Sequence, residues 1–266
     1  MRTIGFVILS ALPLLAADAP LSQQQIDDII QKFAAKEAEF AAARANYTYR
    51  QTSRVLDLDD GGNTVGKWEE VVDIQFSPEG KRSEKVVRAP VPNLRNFQMD
   101  PEDLQDLRTT QPFVLTTTEL PNYYVRYLGK QKIDEIVTYA FAVKPKKMEP
   151  GKRYFSGQVW VDDRDLQIVK SYGRGVGIIK NSQDHAFPKF ETYREQIDGK
   201  YWFPTYTVAN DTLHFKETDA RIREIVRYED YKQFKAESKI KFGEAVDEEK
   251  KDDKKDEKKP PVKKQP

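Results

Sequence analysis

Val159-Trp160-Val161, then Asp162-Asp163-Arg164-Asp165, then Leu166-Gln167-Ile168-Val169-Lys170: two β-prone runs flank a polar turn. The pattern recurs across Tyr154 to Tyr228. Phe190-Glu191-Thr192-Tyr193-Arg194 continues to Ile197, turns at Asp198-Gly199-Lys200 and returns as Tyr201-Trp202-Phe203. A tight hairpin needs residues that tolerate positive backbone angles, and Asp-Gly is the strongest short signal for one. Successive hairpins build an antiparallel sheet, which can keep one face apolar and the other wet. The stretch therefore predicts such a sheet with a greasy, concave face.

Alternation continues on both sides. Ile222, Val226 and Tyr228 alternate with Arg221, Arg223 and Arg227, but Glu224 falls on the apolar face and Ile225 on the basic one. Upstream, Val137, Tyr139, Phe141 and Val143 oppose Thr138, Ala140, Ala142 and Lys144, and Tyr123 to Leu128 reads as strand. Tyr47 and Tyr49 share a face opposite Thr48 and Arg50. A polar turn over Asp57 to Asn63 leads into Trp68 to Phe76, Pro78-Glu79-Gly80 closes that hairpin, and Lys81 to Val91 returns. Between Pro92 and Pro121 the β signal lapses. There Asp100-Pro101-Glu102-Asp103, with Leu104 and Leu107 as apolar anchors, predicts a short helix.

A longer helix is predicted from about Gln23 to Ala43. Ser22 and Gln25 fit a capping box, Leu21 and Ile26 a hydrophobic staple, and Ile26, Ile29, Ile30, Phe33 and Phe40 fall on one side. The fold class is mainly β (α+β), with no fixed repeat length that would make it a solenoid.

The ends are different material. Arg2, the apolar run Ile4 to Leu15 and the small pair Ala16-Ala17 read as an export signal cut after Ala17; the run is too short for a permanent span. From Glu244 the chain is nearly all Glu, Asp and Lys, a tail (244–266) expected to stay disordered. That leaves 18–243 as one β domain. The chain has no cysteine, so neither disulfides nor a lipid anchor through an amino-terminal Cys is expected. With 44 Lys plus Arg against 43 Asp plus Glu, composition offers no argument for nucleic acid.

Catalytic patterns come off poorly. The two histidines, His185 and His214, sit apart, with no Cys or second His nearby to share a metal. Gly173-Arg174-Gly175-Val176-Gly177 lacks dinucleotide spacing and a following helix, so a bend or bulge is expected instead. Asp57 and Asp59 hint at a calcium loop, but the glycine is out of register and Trp68 stands where the bidentate acid belongs. Asp162, Asp163 and Asp165 are expected in solvent at a hairpin turn, where nothing splits their pKa values. No metal, no cofactor and no enzymatic activity are expected. What remains is the aromatics, 13 Tyr, 14 Phe and 3 Trp: each alone reads as ordinary core, while as a set on a curved sheet capped by a helix they can leave a cleft for acyl chains.

Taken together, the amino-terminal helix, Tyr47-Thr48-Tyr49-Arg50-Gln51, Tyr139 to Lys146, the Val159 to Lys170 hairpin and Asp198-Gly199-Lys200-Tyr201-Trp202-Phe203-Pro204 resemble the periplasmic outer-membrane lipoprotein-sorting carriers, the LolA-like superfamily. The likeness covers most of Thr48 to Tyr228. It implies a strongly curved, half-open β-barrel whose mouth is covered by helices. It also implies a periplasmic, monomeric carrier that takes acyl chains of lipids or lipoproteins from an inner-membrane release complex to an outer-membrane receptor. Tyr49, Tyr139, Phe141, Trp160, Tyr193, Trp202 and Tyr206 are then the candidate cavity lining. Arg50 or Arg54 is the candidate for the arginine that holds the lid, and the 92–121 stretch is an insertion. The rival reading is an envelope interaction protein with a filled β core.

Overall fold

The computed structural model describes residues 20–77, 81–178 and 187–233. The expected export signal, the tail, the Pro78-Glu79-Gly80 turn and His185 lie outside the described residues. No helix among these residues is long and apolar enough to cross a membrane.

Helix α1 (Gln23–Arg44) begins at the Ser22 capping box, with Gln25 N on the Ser22 hydroxyl and Ser22 N on the Gln25 side chain. Ten strands follow: β1 (Tyr47–Leu58), β2 (Thr64–Phe76), β3 (Arg82–Arg88), β4 (Tyr123–Ile133), β5 (Ile136–Pro145), β6 (Tyr154–Asp162), β7 (Ile168–Val176), β8 (Phe190–Gln196), β9 (Trp202–His214) and β10 (Asp219–Gln233). They form one antiparallel sheet in the order β3-β2-β1-β10-β9-β8-β7-β6-β5-β4. β3 and β4 are its two free edges, so the barrel is half-open. With β3 and β4 at opposite edges, residues 89–122 must carry the chain from one edge of the sheet to the other. The stretch expected to be an insertion is an obligate crossover, and its short helix α2 (Pro101–Gln105) lies within it, capped by Asp100 and Asp103.

The crossover also shows that the sheet curls. Asp106 bonds Arg153, just before β6, while Arg108 bonds Glu84 on β3 at 2.9 Å. Those strands stand seven places apart, about 34 Å in a flat sheet. Two side chains separated by one residue cannot span that distance, so the sheet wraps around the crossover. Residues paired directly across strands share a face. One inner row runs Phe141, Val159, Ser171, Thr192, Thr207, Val226 and Ser53. The row behind it on the outer face runs Ala140, Trp160, Lys170, Tyr193, Tyr206, Arg227 and Thr52.

Asp57 does not sit in a polar turn. β1 continues through it, and its buried carboxylate accepts the backbone N–H groups of Arg95 and Asn96 at 2.8 and 2.9 Å, anchoring the start of the crossover. The glycine-rich run of β7 is likewise not a bulge. Gly173 pairs with Gly157 and Gly175 with Phe155 in unbroken register; the irregularity lies at Trp160/Val161. A Cβ on Gly157 would lie 2.1 Å from the Tyr172 carbonyl, and one on Gly175 would lie 2.0 Å from the Asp106 carboxylate. Close approach, not a bend, demands these glycines.

Candidate functional site

Two covers lie on the inner face, and they differ in kind. α1 closes one part with side chains alone. Phe33 is fully buried against Phe141 with ring centroids 5.2 Å apart, amid Leu115, Phe155, Val159 and Ile168. Phe40 meets Phe203 edge-on at 5.2 Å. One charge interrupts this apolar contact: Glu37 of α1 is completely buried and faces Arg194 of β8, whose Nη1 lies 3.1 Å from both carboxylate oxygens. Glu37 also accepts the Ile168 N–H at 3.0 Å, and Arg194 donates to the Phe113 carbonyl. Every strong donor there is answered, which is the condition for a buried ion pair to be tolerated. Arg194 is therefore the arginine that holds the helix. Arg50 and Arg54, the candidates from sequence, form surface pairs with Asp73 and Glu69 on β2.

The crossover covers the other part and leaves space beneath it. A cavity of about 430 Å³ lies between residues 96–111, the end of β9 and the start of β10. That volume is within the range of small-molecule sites. Phe97, Met99, Phe190, Leu213, Phe215 and Ile222 form its apolar wall. The charged part of the lining is mostly acidic, Asp100, Asp103, Asp106, Glu217 and Glu224 against the single cation Lys216, with Asn96, Gln98, Gln111 and Thr218 as neutral polar groups.

Each polar group of this floor is positioned by a local feature of the chain. α2 passes directly into a π-helical turn, Asp106–Thr110, a form that often marks functional sites. Asp106 sits on Gly175 and is bonded by Arg153 (Nε to Oδ1, 2.9 Å) and by the Thr110 hydroxyl at 2.8 Å. Gln111 donates its amide N–H to Glu224, while its buried Oε1 has no partner. Thr192 holds the Gln111 carbonyl at 3.0 Å. Burial pushes Glu224 up to about 7, against the pull of its Gln111 bond and with help from Asp106. Burial also pushes Asp103 up to about 8, opposed by the Asp100 N–H and reinforced by the charges of Asp100, Glu224 and Asp106. Asp106 is raised by the same burial, with Arg153 opposing.

None of the seven aromatics named from sequence lines this cavity. Tyr49 stacks on Tyr231 within the β1–β2–β10 core. Phe141 and Tyr139 belong to the packing under α1. Trp160, Tyr193 and Tyr206 stand in the outer row, with Lys170 over the rings of Trp160 and Tyr193. Trp202 packs with Trp160 and donates to Asp165 at 2.8 Å. The alternation is legible in the sequence, but not which face turns inward. The Asp162–Asp165 turn is also less exposed than expected: Asp162 is buried and caps the turn by accepting the N–H groups of Arg164 and Asp165. His214 pairs with Asp219 on the surface at 2.9 Å. No cluster of potential metal ligands occurs among the described residues. The signal for the true floor is present in the sequence, as Glu224 on an otherwise apolar strand face.

No family model matches the sequence, and no curated protein does. Solved structures do. A LolA superfamily protein from Nitrosomonas europaea is similar over 76% of this chain and 94% of its own, at 12% identity and a TM-score of 0.33. A DUF1329 family protein from Desulfovibrio piger is similar over 76% and 94%, at 14% and 0.37. An outer membrane lipoprotein-sorting protein domain from Vibrio parahaemolyticus is similar over 78% and 94%, at 11% and 0.36.

Proposed function

We propose that the chain is an exported, non-catalytic binding protein that holds the acyl or alkyl chain of an amphiphile beneath the crossover. In this reading it works in the periplasm as a carrier of lipid or lipoprotein chains between envelope membranes, loaded and unloaded by membrane partners. The observation that supports it is the cavity of about 430 Å³, lined by Phe97, Met99, Phe190, Leu213, Phe215 and Ile222 together with Asp103, Gln111 and Glu224. Each buried methylene of a cargo chain contributes about 0.8 kcal/mol, so a chain of about ten supplies about 8 kcal/mol before ordering costs. The sequence resemblance supports the same class, but the site is displaced: the space under α1 is filled by Phe33, Phe141 and their neighbours.

That filled core supports the rival reading, an envelope interaction protein whose sheet is solid. Solvent extraction and mass spectrometry of the chain purified from the periplasmic fraction separate the two. Stoichiometric co-purified amphiphile, lost in Ile222→Trp, is expected for the carrier. A lipid-free protein that also fails to enhance the fluorescence of N-phenyl-1-naphthylamine would leave the interaction protein standing.

A further inference from the structure

An apolar cavity whose charged lining is mostly carboxylate is a poor receptacle for a fatty-acid head. A ligand carboxylate or phosphate placed there would face Asp103, Glu224 and the bare Oε1 of Gln111, all of which line the cavity; the amide oxygen and the ionised carboxylates can only accept. The one buried cation close by, Arg153, gives its Nε and Nη2 to Asp106; its Nη1 has no partner, but Arg153 does not line the cavity. Lys216 lies in the lining with Glu217 beside it. Gln111 is the sharper sign. Its side chain is only 2% exposed overall, its N–H is spent on Glu224, and its carbonyl oxygen lacks the donor that buried acceptors require.

Resting on the binding reading above, we infer that the ligand is a cationic amphiphile. Its ammonium head donates to Gln111 Oε1, Glu224 and Asp103, and its chain lies along Phe97, Phe215 and Ile222. An ammonium supplies three donors and no acceptor, the complement of this floor. Charge-assisted bonds of this kind are the stronger class, and in a low-dielectric slot they discriminate sharply against a head of the wrong sign. Because burial holds Glu224 and Asp103 partly protonated near neutrality, seating a cation beside them releases protons. Amine affinity should therefore rise from pH 6 to pH 8, with Asp106 already neutralised by Arg153, Asp100 the other charge on the crossover side, and Lys216 and Glu217 in the lining at the turn between β9 and β10.

The test is calorimetric titration of the intact protein, after delipidation, with dodecylamine, dodecanol and laurate below their aggregation concentrations. The expected order is amine, then alcohol, then carboxylate, with amine over laurate by about tenfold or more. Glu224→Gln should weaken the amine about tenfold and dodecanol much less, because a hydroxyl loses no charge-assisted bond; a melting curve confirms that this variant folds. Laurate binding as tightly as the amine, or dodecanol equalling it, overturns the cationic head while leaving the chain-binding reading intact. Failure of all three ligands, together with no response of N-phenyl-1-naphthylamine, overturns both.

Discussion

The same inner face is closed in two ways, and the contrast shows where each kind of closure belongs. Under α1 the packing is dry: aromatic rings meet, and the single ion pair, Glu37 with Arg194, has both partners satisfied. Under the crossover the same sheet presents Glu224, Thr192, Thr207 and Ser53, and the cover brings Asp103, Asp106 and Gln111 to meet them. A helix with an apolar stripe can fill a concavity with its own side chains. The crossover buries Leu107, Phe113 and Leu115 but carries no continuous apolar stripe, and polar backbone anchors such as Asp57 to Arg95 and Asn96 fix the rest of its path. The first closure is structural; the second leaves room.

The largest way to break the contrast is to strip one half of the latch. Glu37→Ala leaves Arg194 buried and uncompensated and should cost about 3–5 kcal/mol in urea unfolding. The double change Glu37→Leu with Arg194→Met should cost far less. If the single and double variants lose equal stability, the ion pair is not what makes the single change costly.

The acidic floor predicts an unusual pH response. Glu224 is held at about 7, above its ordinary 4.5, and Asp103 at about 8, above 3.8. The folded chain thus binds more protons than the unfolded one between roughly pH 4 and pH 8, so stability falls as pH rises through that window. Glu224→Gln should flatten the slope and stabilise the protein at pH 8 by on the order of 3 kcal/mol. Stability that instead rises from pH 5 to pH 8 would place these carboxyls in solvent.

What the sequence makes legible divides along the same line as the two covers. The Ser22–Gln25 cap, the apolar stripe of α1, the Asp198-Gly199 hairpin and the Asp100 helix start are local features, and local chemistry decides them. The site is not local. Asp106, Gly175, Gln111 and Glu224 lie on three separate segments brought together by the curl of the sheet, and no spacing rule announces that. Alternation separates the two faces of β6, β8 and β9 but does not orient them, so Trp160, Tyr193 and Tyr206, expected inside, stand on the side away from α1. The irregularity at Glu224 and Ile225 is the one visible mark of the floor, and it is a real inward-facing acid rather than noise.

Smaller effects sharpen the picture. Gly175→Ala places a methyl group against Asp106 and should cost about 1–3 kcal/mol while loosening the Arg153 contact. Gly129→Ala, where only the positive φ of +111° opposes the change, offers a comparison for backbone strain alone. The smallest effect expected is that of Arg50→Ala, whose exposed pair with Asp73 lies away from both covers; its melting temperature should be indistinguishable from wild type. A large drop would return Arg50 to the role assigned here to Arg194.

The most direct measurement is crystallographic: soak the protein with a terminally brominated alkyl chain and locate the bromine by its anomalous signal. Bromine density among Phe97, Phe215 and Ile222, beneath the crossover, is the predicted result. Density under α1 beside Phe33 and Phe141 would contradict the account, because it would mean that the helix, not the crossover, covers the cargo.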